Sequence, residues 1–131
     1  HISGPARRNS AYSAPELVRD GRTSPAGDVY AFAVLLWELA LGAPLPSLLQ
    51  QQPSRPEGSR LRAWLLQQSL GDLWDAEALP PDVLVWPEQA RRLGLTGLVD
   101  ECLRAEPSAR PTMTEVRKRL YGMLEGLGVD G

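Results

Sequence analysis

Residues 27–42 read GDVYAFAVLLWELALG, and the rest of the chain is organised around this stretch. Between residues 29 and 41 the only charged side chain is Glu38, and the apolar side chains do not keep to one stripe. A helix that is apolar nearly all round lies inside a core. A buried strand is the alternative, but the run is long for a strand, and Ala, Leu and Glu favour a helix. The sequence therefore predicts a buried central helix over residues 25–41.

Signals at both ends support this helix. Ser24 can cap the first turn, Pro25 suits the first helical position, and Asp28 favours the positive end of the helix. At the other end Gly42 can adopt the left-handed conformation, and Pro44 prevents a continuation.

Composition limits the class of protein. The chain has 131 residues, 43% of them hydrophobic, and a net charge of -2, which predicts one domain and no nucleic-acid partner. Its single cysteine, Cys102, excludes an intrachain disulfide. No run is long enough to predict a membrane span. Because the first residue is His1 rather than Met, we expect a piece of a longer protein.

The remaining helices are predicted from turn residues and apolar spacing. Residues 1–13 have loop composition, a short helical turn starts at Pro15, and residues 43–58, with four prolines, predict an exposed loop or insertion. Ser59 can cap a helix that runs to about Leu70. Residues 71–87 mix prolines with large apolar side chains, which predicts an irregular segment pinned by aromatic residues.

Two more helices follow this segment. A helical pattern returns at Glu88 and predicts an amphipathic helix that ends near Ala105. Thr112 and Glu115 then fit a capping box for the last helix. The inner face of that helix is predicted from Val116, Leu120, Met123 and Leu124. The chain therefore reads as all-α, with about five helices and no strand.

The residue inventory by itself names no reaction. His1 is the only histidine, so neither a histidine-based triad nor a histidine-rich metal site is expected. No glycine-rich phosphate loop occurs. The carboxylate pairs along the chain are more simply solvated helix faces, and Cys102 falls on an apolar helix face, where a buried structural thiol is expected. We expect no catalytic, cofactor-binding or metal site in this chain.

Three clusters, in this order, resemble the protein kinase family. Tyr12-Ser13-Ala14-Pro15-Glu16 resembles the Ala-Pro-Glu motif that ends the activation segment of eukaryotic protein kinases. The run from Asp28 to Gly42 is similar to the family's central C-lobe helix. Its closing motif is similar to Cys102-Leu103 followed by Pro107 and Arg110-Pro111-Thr112. The resemblance spans essentially residues 1–131 and implies the lower half of a kinase C-lobe. It is nearest to the tyrosine-kinase-like group, which includes plant receptor-like kinases.

The resemblance implies roles for individual residues. Glu16, at the end of the Ala14-Pro15-Glu16 motif, would form a buried ion pair with Arg110, and Asp28 would accept hydrogen bonds from the backbone of the catalytic loop. Residues that would line the peptide-substrate groove are Asn9, Ser10, Ala11, Tyr12 and Ser13. Asn9 stands where the family often has Ser or Thr, and Glu106 replaces the usual Asp before Pro107.

The function implied is that of a protein kinase segment, from a Ser/Thr kinase, that supports the activation segment. A cytoplasmic location is expected because a single cysteine suits a reducing compartment. ATP and Mg²⁺ are implied for the parent kinase, and none of the residues that handle them is in this sequence. The implied partners are a protein or peptide substrate and the N-lobe and catalytic loop of the parent domain. Two alternatives stay open: a pseudokinase scaffold without catalysis, and an unrelated helical interaction domain.

Overall fold

The structure, a computed structural model, describes residues 13–42, 59–72 and 76–126. These residues form six α-helices and two short 3-10 turns, and no strand occurs among them. The all-α class predicted from the sequence is confirmed. In chain order the helices are α1 (Pro15–Asp20), α2 (Pro25–Leu41), α3 (Ser59–Leu70), α4 (Glu88–Leu93), α5 (Leu95–Cys102) and α6 (Met113–Gly126); the 3-10 turns are Pro81–Val83 and Pro107–Ala109.

The central helix α2 has the predicted bounds, and its ends are built as the sequence predicts. Ser24 is extended, and its hydroxyl accepts a hydrogen bond from the Gly27 amide at 3.0 Å. Gly42, with φ 84°, donates its amide to the Glu38 carbonyl at 2.8 Å. The left-handed backbone at this position favours glycine, since a Cβ would be strained there.

The core is built on the buried side of α2. This helix packs against α5 and against the 3-10 turn Pro107–Ala109. Each large apolar side chain that is fully buried there contributes about 1.5–3 kcal/mol by leaving water. The largest such side chains are Trp37, Tyr30, Leu61, Leu79, Leu98 and Leu103. The other side of α2 is less covered, since Leu39 is 79% exposed.

Residues 76–87 run along α2 in an irregular path, as predicted. The Leu79 amide donates to the Tyr30 hydroxyl at 2.9 Å, and the Trp37 indole nitrogen donates to the Val85 carbonyl at 2.9 Å. Tyr30 and Trp37 are about two helical turns apart. Tyr30 binds Leu79, and Trp37, further along α2, binds Val85, further along the segment. The helix and the segment therefore run in the same direction. Trp74 lies outside the described residues.

The predicted helix from Glu88 to Ala105 is wrong as a single element. Gly94, with φ 85°, ends α4 and directly precedes α5, and the second helix stops at Cys102. A left-handed residue cannot continue a right-handed helix, which is why six helices form rather than about five. Ser59 is the first residue of α3 rather than its cap, and residues 43–58, predicted as a loop, lie outside the described residues.

The last helix is held at its start and against α5. Thr112 caps α6, and its hydroxyl accepts from the Glu115 amide at 3.2 Å. Arg119 donates to the Glu101 carboxylate at 2.9 Å, which links α6 to α5. Of the predicted inner face, Val116 is buried, Leu120 and Met123 are partly buried against the core, and Leu124 is 48% exposed.

Candidate functional site

Arg110 lies at the centre of a buried polar cluster that joins three parts of the chain. Its side chain is 0% exposed. A guanidinium has five N–H donors in a fixed fork. In this structure Nε donates to the Arg104 carbonyl at 2.8 Å, and the two terminal nitrogens donate to the Glu16 carboxylate and to the carbonyls of Ala26 and Ala105. Every donor of Arg110 therefore has an acceptor.

Glu16 faces Arg110 in a bidentate geometry. Its Oε2 lies 2.8 Å from Nη1 of Arg110 and its Oε1 lies 2.9 Å from Nη2. Two parallel charge-assisted bonds of this length are a strong form of carboxylate recognition. Pro15 occupies the first helical position of α1, so the backbone that carries Glu16 is fixed locally. The pairing that the resemblance implies is present.

The protonation of Glu16 follows from this environment. Burial by itself raises the pKa of the Glu16 carboxyl, because a charged carboxylate loses solvation. The hydrogen bonds and positive charge of Arg110 outweigh burial and hold the pKa of Glu16 below its ordinary value of 4.5. Glu16 is therefore ionised at neutral pH, and its side chain is 14% exposed.

The approach to Arg110 along the chain is fixed by short-range bonds. The 3-10 turn Pro107–Ala109 directly precedes Arg110, and the Glu106 carboxylate accepts from the Ser108 amide and hydroxyl. Arg104 donates to the Ala109 carbonyl at 2.8 Å. These contacts determine the direction from which the Arg110 side chain enters the core.

Tyr30 forms one wall of the cluster. Its ring centroid lies 5.1 Å from Cζ of Arg110, within the range of a cation–π contact. Burial raises the pKa of Tyr30 to about 12, so the phenol stays neutral at physiological pH. Tyr30 was not predicted as a site residue. A hydroxyl among the aliphatic residues of α2 is the signal that could have identified it, since a buried phenol needs a hydrogen-bond partner.

The other predicted residues are spread around this cluster. Ala14 and Pro15 are buried, and Ser13 is half buried. Asp28 lies in the first turn of α2, is exposed, and accepts no hydrogen bond from the described residues. Its predicted role towards a catalytic-loop backbone stays a prediction. Of the predicted groove, Asn9, Ser10, Ala11 and Tyr12 lie outside the described residues.

The cluster holds segments together and offers no reactive group. Within residues 13–42, 59–72 and 76–126, no set of three or more His, Cys, Asp or Glu side chains could hold a metal ion. In the same part of the chain no helix has the length and apolar character to cross a membrane. The chemistry available at Glu16 and Arg110 is charge pairing that ties α1 to the start of α2 and to the end of α5.

Comparison with known proteins identifies the family. The family model for protein tyrosine and serine/threonine kinases matches residues 2–120. The chain belongs to this protein kinase family, and the resemblance drawn from the sequence is confirmed. No solved structure matches the chain at a significant level.

Relatives include both catalytic and inactive proteins. A probable inactive receptor kinase of Arabidopsis thaliana is 32% identical over 94% of this chain and 18% of its own length. A serine/threonine-protein kinase of the same plant is 32% identical over 89% of this chain and 29% of its own length. A megakaryocyte-associated tyrosine-protein kinase of Rattus norvegicus is 30% identical over 90% of this chain and 21% of its own length. The chain thus spans less than a third of each of these relatives.

Proposed function

We propose that this chain is the C-lobe segment of a serine/threonine protein kinase domain that supports the end of the activation segment. The observation that carries the proposal is the bidentate contact between Glu16 and the fully buried Arg110. Glu16 follows the Ala14-Pro15 pair of the activation-segment motif, and Arg110 belongs to the closing motif. Their contact fixes the end of the activation segment to the far side of the lobe.

The role follows from what such an anchor does in phosphoryl transfer. Catalysis of that reaction depends on positioning a hydroxyl substrate against the nucleotide. A segment held at Glu16 restrains the residues that precede it in the chain, where the resemblance implies the groove for a protein or peptide substrate. We infer that Asn9, Ser10, Ala11, Tyr12 and Ser13 form that substrate side.

ATP and Mg²⁺ belong to the proposed parent activity and not to the residues described. The sequence has no glycine-rich phosphate loop, and the described residues offer no carboxylate cluster for a divalent cation. The residues present therefore do not fit the nucleotide or the metal, and no step of the reaction is assigned to them. What this segment supplies is orientation of the substrate-facing loop.

The experiment is phosphoryl transfer by the full protein that carries this segment. Transfer of labelled phosphate from Mg·ATP to casein is measured for the natural protein, for Arg110→Lys and for the control Arg119→Gln. Lys has one compact charge and cannot reproduce the five-donor fork, so Arg110→Lys should lower transfer strongly. Arg119 makes the partly exposed pair with Glu101, and its loss should change transfer little. Equal activity of Arg110→Lys and the natural protein contradicts the proposal.

The second candidate is a pseudokinase scaffold without catalysis. The observation that favours it is that relatives include a probable inactive receptor kinase and an inactive leucine-rich repeat receptor-like kinase of Arabidopsis thaliana. In that case the same anchor would hold a binding surface for a partner protein. Thermal unfolding of the full protein with and without Mg·ATP separates the two, because binding to the folded state alone raises the melting temperature.

A cytoplasmic location is proposed for either function, since the one cysteine, Cys102, is a free buried thiol that suits a reducing compartment.

A further inference from the structure

The side chain of Tyr30 contacts two parts of the molecule that are far apart in sequence. Its ring lies beside the Arg110 guanidinium, with Cζ 5.1 Å from the ring centroid. Its hydroxyl accepts a hydrogen bond from the amide of Leu79 at 2.9 Å, across 49 positions. Tyr30, Leu79 and Arg110 are all buried. A shift of Arg110 can therefore reach Leu79 through one side chain.

The Leu79 amide depends on this hydroxyl. Leu79 lies outside any helix, and the Tyr30 oxygen is the acceptor for its N–H. Because Leu79 is buried, water cannot replace the hydroxyl unless the segment opens. Pro80 and Pro81, which follow, have no N–H and add no backbone donor. Docking of residues 76–79 therefore rests on Tyr30, on burial of the Leu79 side chain, and on the exposed bonds between Glu77 and Gln68 of α3.

The Arg110 side of this arrangement depends on Glu16. Arg110 also donates to the Ala26 carbonyl at 3.0 Å, and Ala26 and Tyr30 are four residues apart on one face of α2. Without the Glu16 carboxylate, the guanidinium keeps only neutral carbonyl acceptors, and a buried charge is left uncompensated. The guanidinium then moves towards water, and its contact with the Tyr30 ring, which depends on distance, weakens.

We propose that Tyr30 is a positioning residue that couples the Glu16–Arg110 pair to residues 76–79. Release of Glu16 from Arg110 loosens the segment that leads from α3 towards α4. The coupling connects the first turn of α1 with residues 76–79, which Glu16 does not contact directly. It goes beyond the proposed function, because it concerns two structural segments and is measured without any phosphoryl transfer.

Hydrogen exchange of single amides, followed by NMR on the full protein, tests the coupling. In Glu16→Gln the Leu79 amide should exchange about tenfold faster or more, measured relative to the Leu98 and Val99 amides of α5. Those reference amides report opening that is not specific to Tyr30. The matched control is Arg119→Gln, which removes the ion pair between α5 and α6. It should leave the exchange rate of the Leu79 amide, relative to those of the α5 amides, unchanged.

The reverse direction gives an independent measurement, because a coupling free energy is reciprocal. Tyr30→Phe keeps the ring but removes the acceptor of the Leu79 amide, so residues 76–79 no longer hold the ring against Arg110, and the Nε–H of Arg110 should exchange faster. In the Tyr30→Phe background, Glu16→Gln should add no further change at Leu79. The proposal is overturned when Glu16→Gln changes the exchange rate of the Leu79 amide only as much as those of the α5 amides. It is also overturned when Tyr30→Phe leaves the exchange rate of the Arg110 Nε–H unchanged. Should Glu16→Gln fail to fold, the Tyr30→Phe measurement alone decides.

Discussion

Glu16 and Arg110 are 94 positions apart, and both oxygens of the carboxylate lie within 2.9 Å of the guanidinium. The ion pair is asymmetric, because the Arg110 side chain is 0% exposed whereas that of Glu16 is 14% exposed. Water therefore cannot reach the Arg110 charge in the folded state, and cannot take the place of the Glu16 carboxylate beside it. Its remaining bonds to backbone carbonyls neutralise no charge, so the folded state depends on Glu16 being present and ionised.

The first prediction is that Glu16 and Arg110 are energetically coupled. Glu16→Ala and Arg110→Ala should each lower the free energy of unfolding of the full domain by on the order of 3–5 kcal/mol, since the first leaves the fully buried Arg110 charge unpaired and the second leaves the largely buried Glu16 carboxylate unpaired. The double variant should cost much less than the sum of the two. Denaturant unfolding of the four proteins of the cycle measures this. Additive effects below about 1 kcal/mol each, typical of exposed pairs, would contradict it.

The second prediction is a loss of stability in acid that depends on Glu16. Arg110 holds the pKa of Glu16 below 4.5 in the folded protein, so the folded state favours the ionised carboxylate. The resulting stability is fully present above about pH 4.5 and is lost as the pH falls through the lowered pKa. Unfolding free energies of the natural protein and of Glu16→Gln should differ most at pH 7 and converge as the pH falls through the lowered pKa of Glu16. A difference that is constant over this range counts against the assignment.

A structural feature could be predicted from the sequence when residues close to it in the chain determine it. The bounds of α2 were correct because Ser24, Pro25 and Gly42 determine the ends of the helix within one turn. The break at Gly94 was missed, although the apolar spacing starts afresh at Leu95, because a single glycine is compatible with a helix until its φ is known.

The same distinction between local and long-range causes applies to the candidate site. The contact of Glu16 with Arg110 came from the resemblance to a family, since no periodicity connects residues so far apart. The bond from Leu79 to Tyr30 has no local signal, because it depends on how residues 76–87 lie along α2. The same holds for the three carbonyl acceptors of Arg110, which backbone geometry supplies and side-chain identity does not encode.

The third prediction concerns catalysis by this chain alone. The 131-residue chain should transfer no phosphate from Mg·ATP to casein, because its sequence carries no glycine-rich phosphate loop to hold the nucleotide. Transfer is measured with labelled ATP against a buffer control and against a preparation of the chain with Arg110→Ala. Transfer above the buffer level that also disappears in the variant would show that the chain itself is active.

The fourth prediction is that Cys102 is unreactive in the folded protein. Its side chain is buried in α5, and burial raises the pKa of the thiol to about 11. Since the thiolate is the reactive form, alkylation by iodoacetamide at pH 8 should be slow in the native state and fast in denaturant. Mass spectrometry of the modified fraction over time checks this. Equal rates in both states would mean that Cys102 is accessible.

The last prediction concerns the second bond between α2 and the irregular segment. The Trp37 indole is fully buried and donates to the Val85 carbonyl at 2.9 Å, across 48 positions. Trp37→Phe keeps an aromatic ring but leaves that carbonyl without its donor, which should cost about 1–3 kcal/mol, beyond any loss of packing.

Trp64→Phe provides the matched control for that change. Trp64 is half buried in α3, and its indole makes no hydrogen bond to the described residues, so the same substitution should cost less there. Denaturant unfolding compares the two variants, and amide exchange of residues 82–86 shows whether the segment opens. Because Trp37 donates to the Val85 carbonyl and Trp64 makes no such bond to the described residues, only Trp37→Phe should speed amide exchange in residues 82–86 relative to α5. Equal destabilisation and equal exchange in both variants would mean that burial of the ring, rather than the bond to Val85, holds the segment on α2.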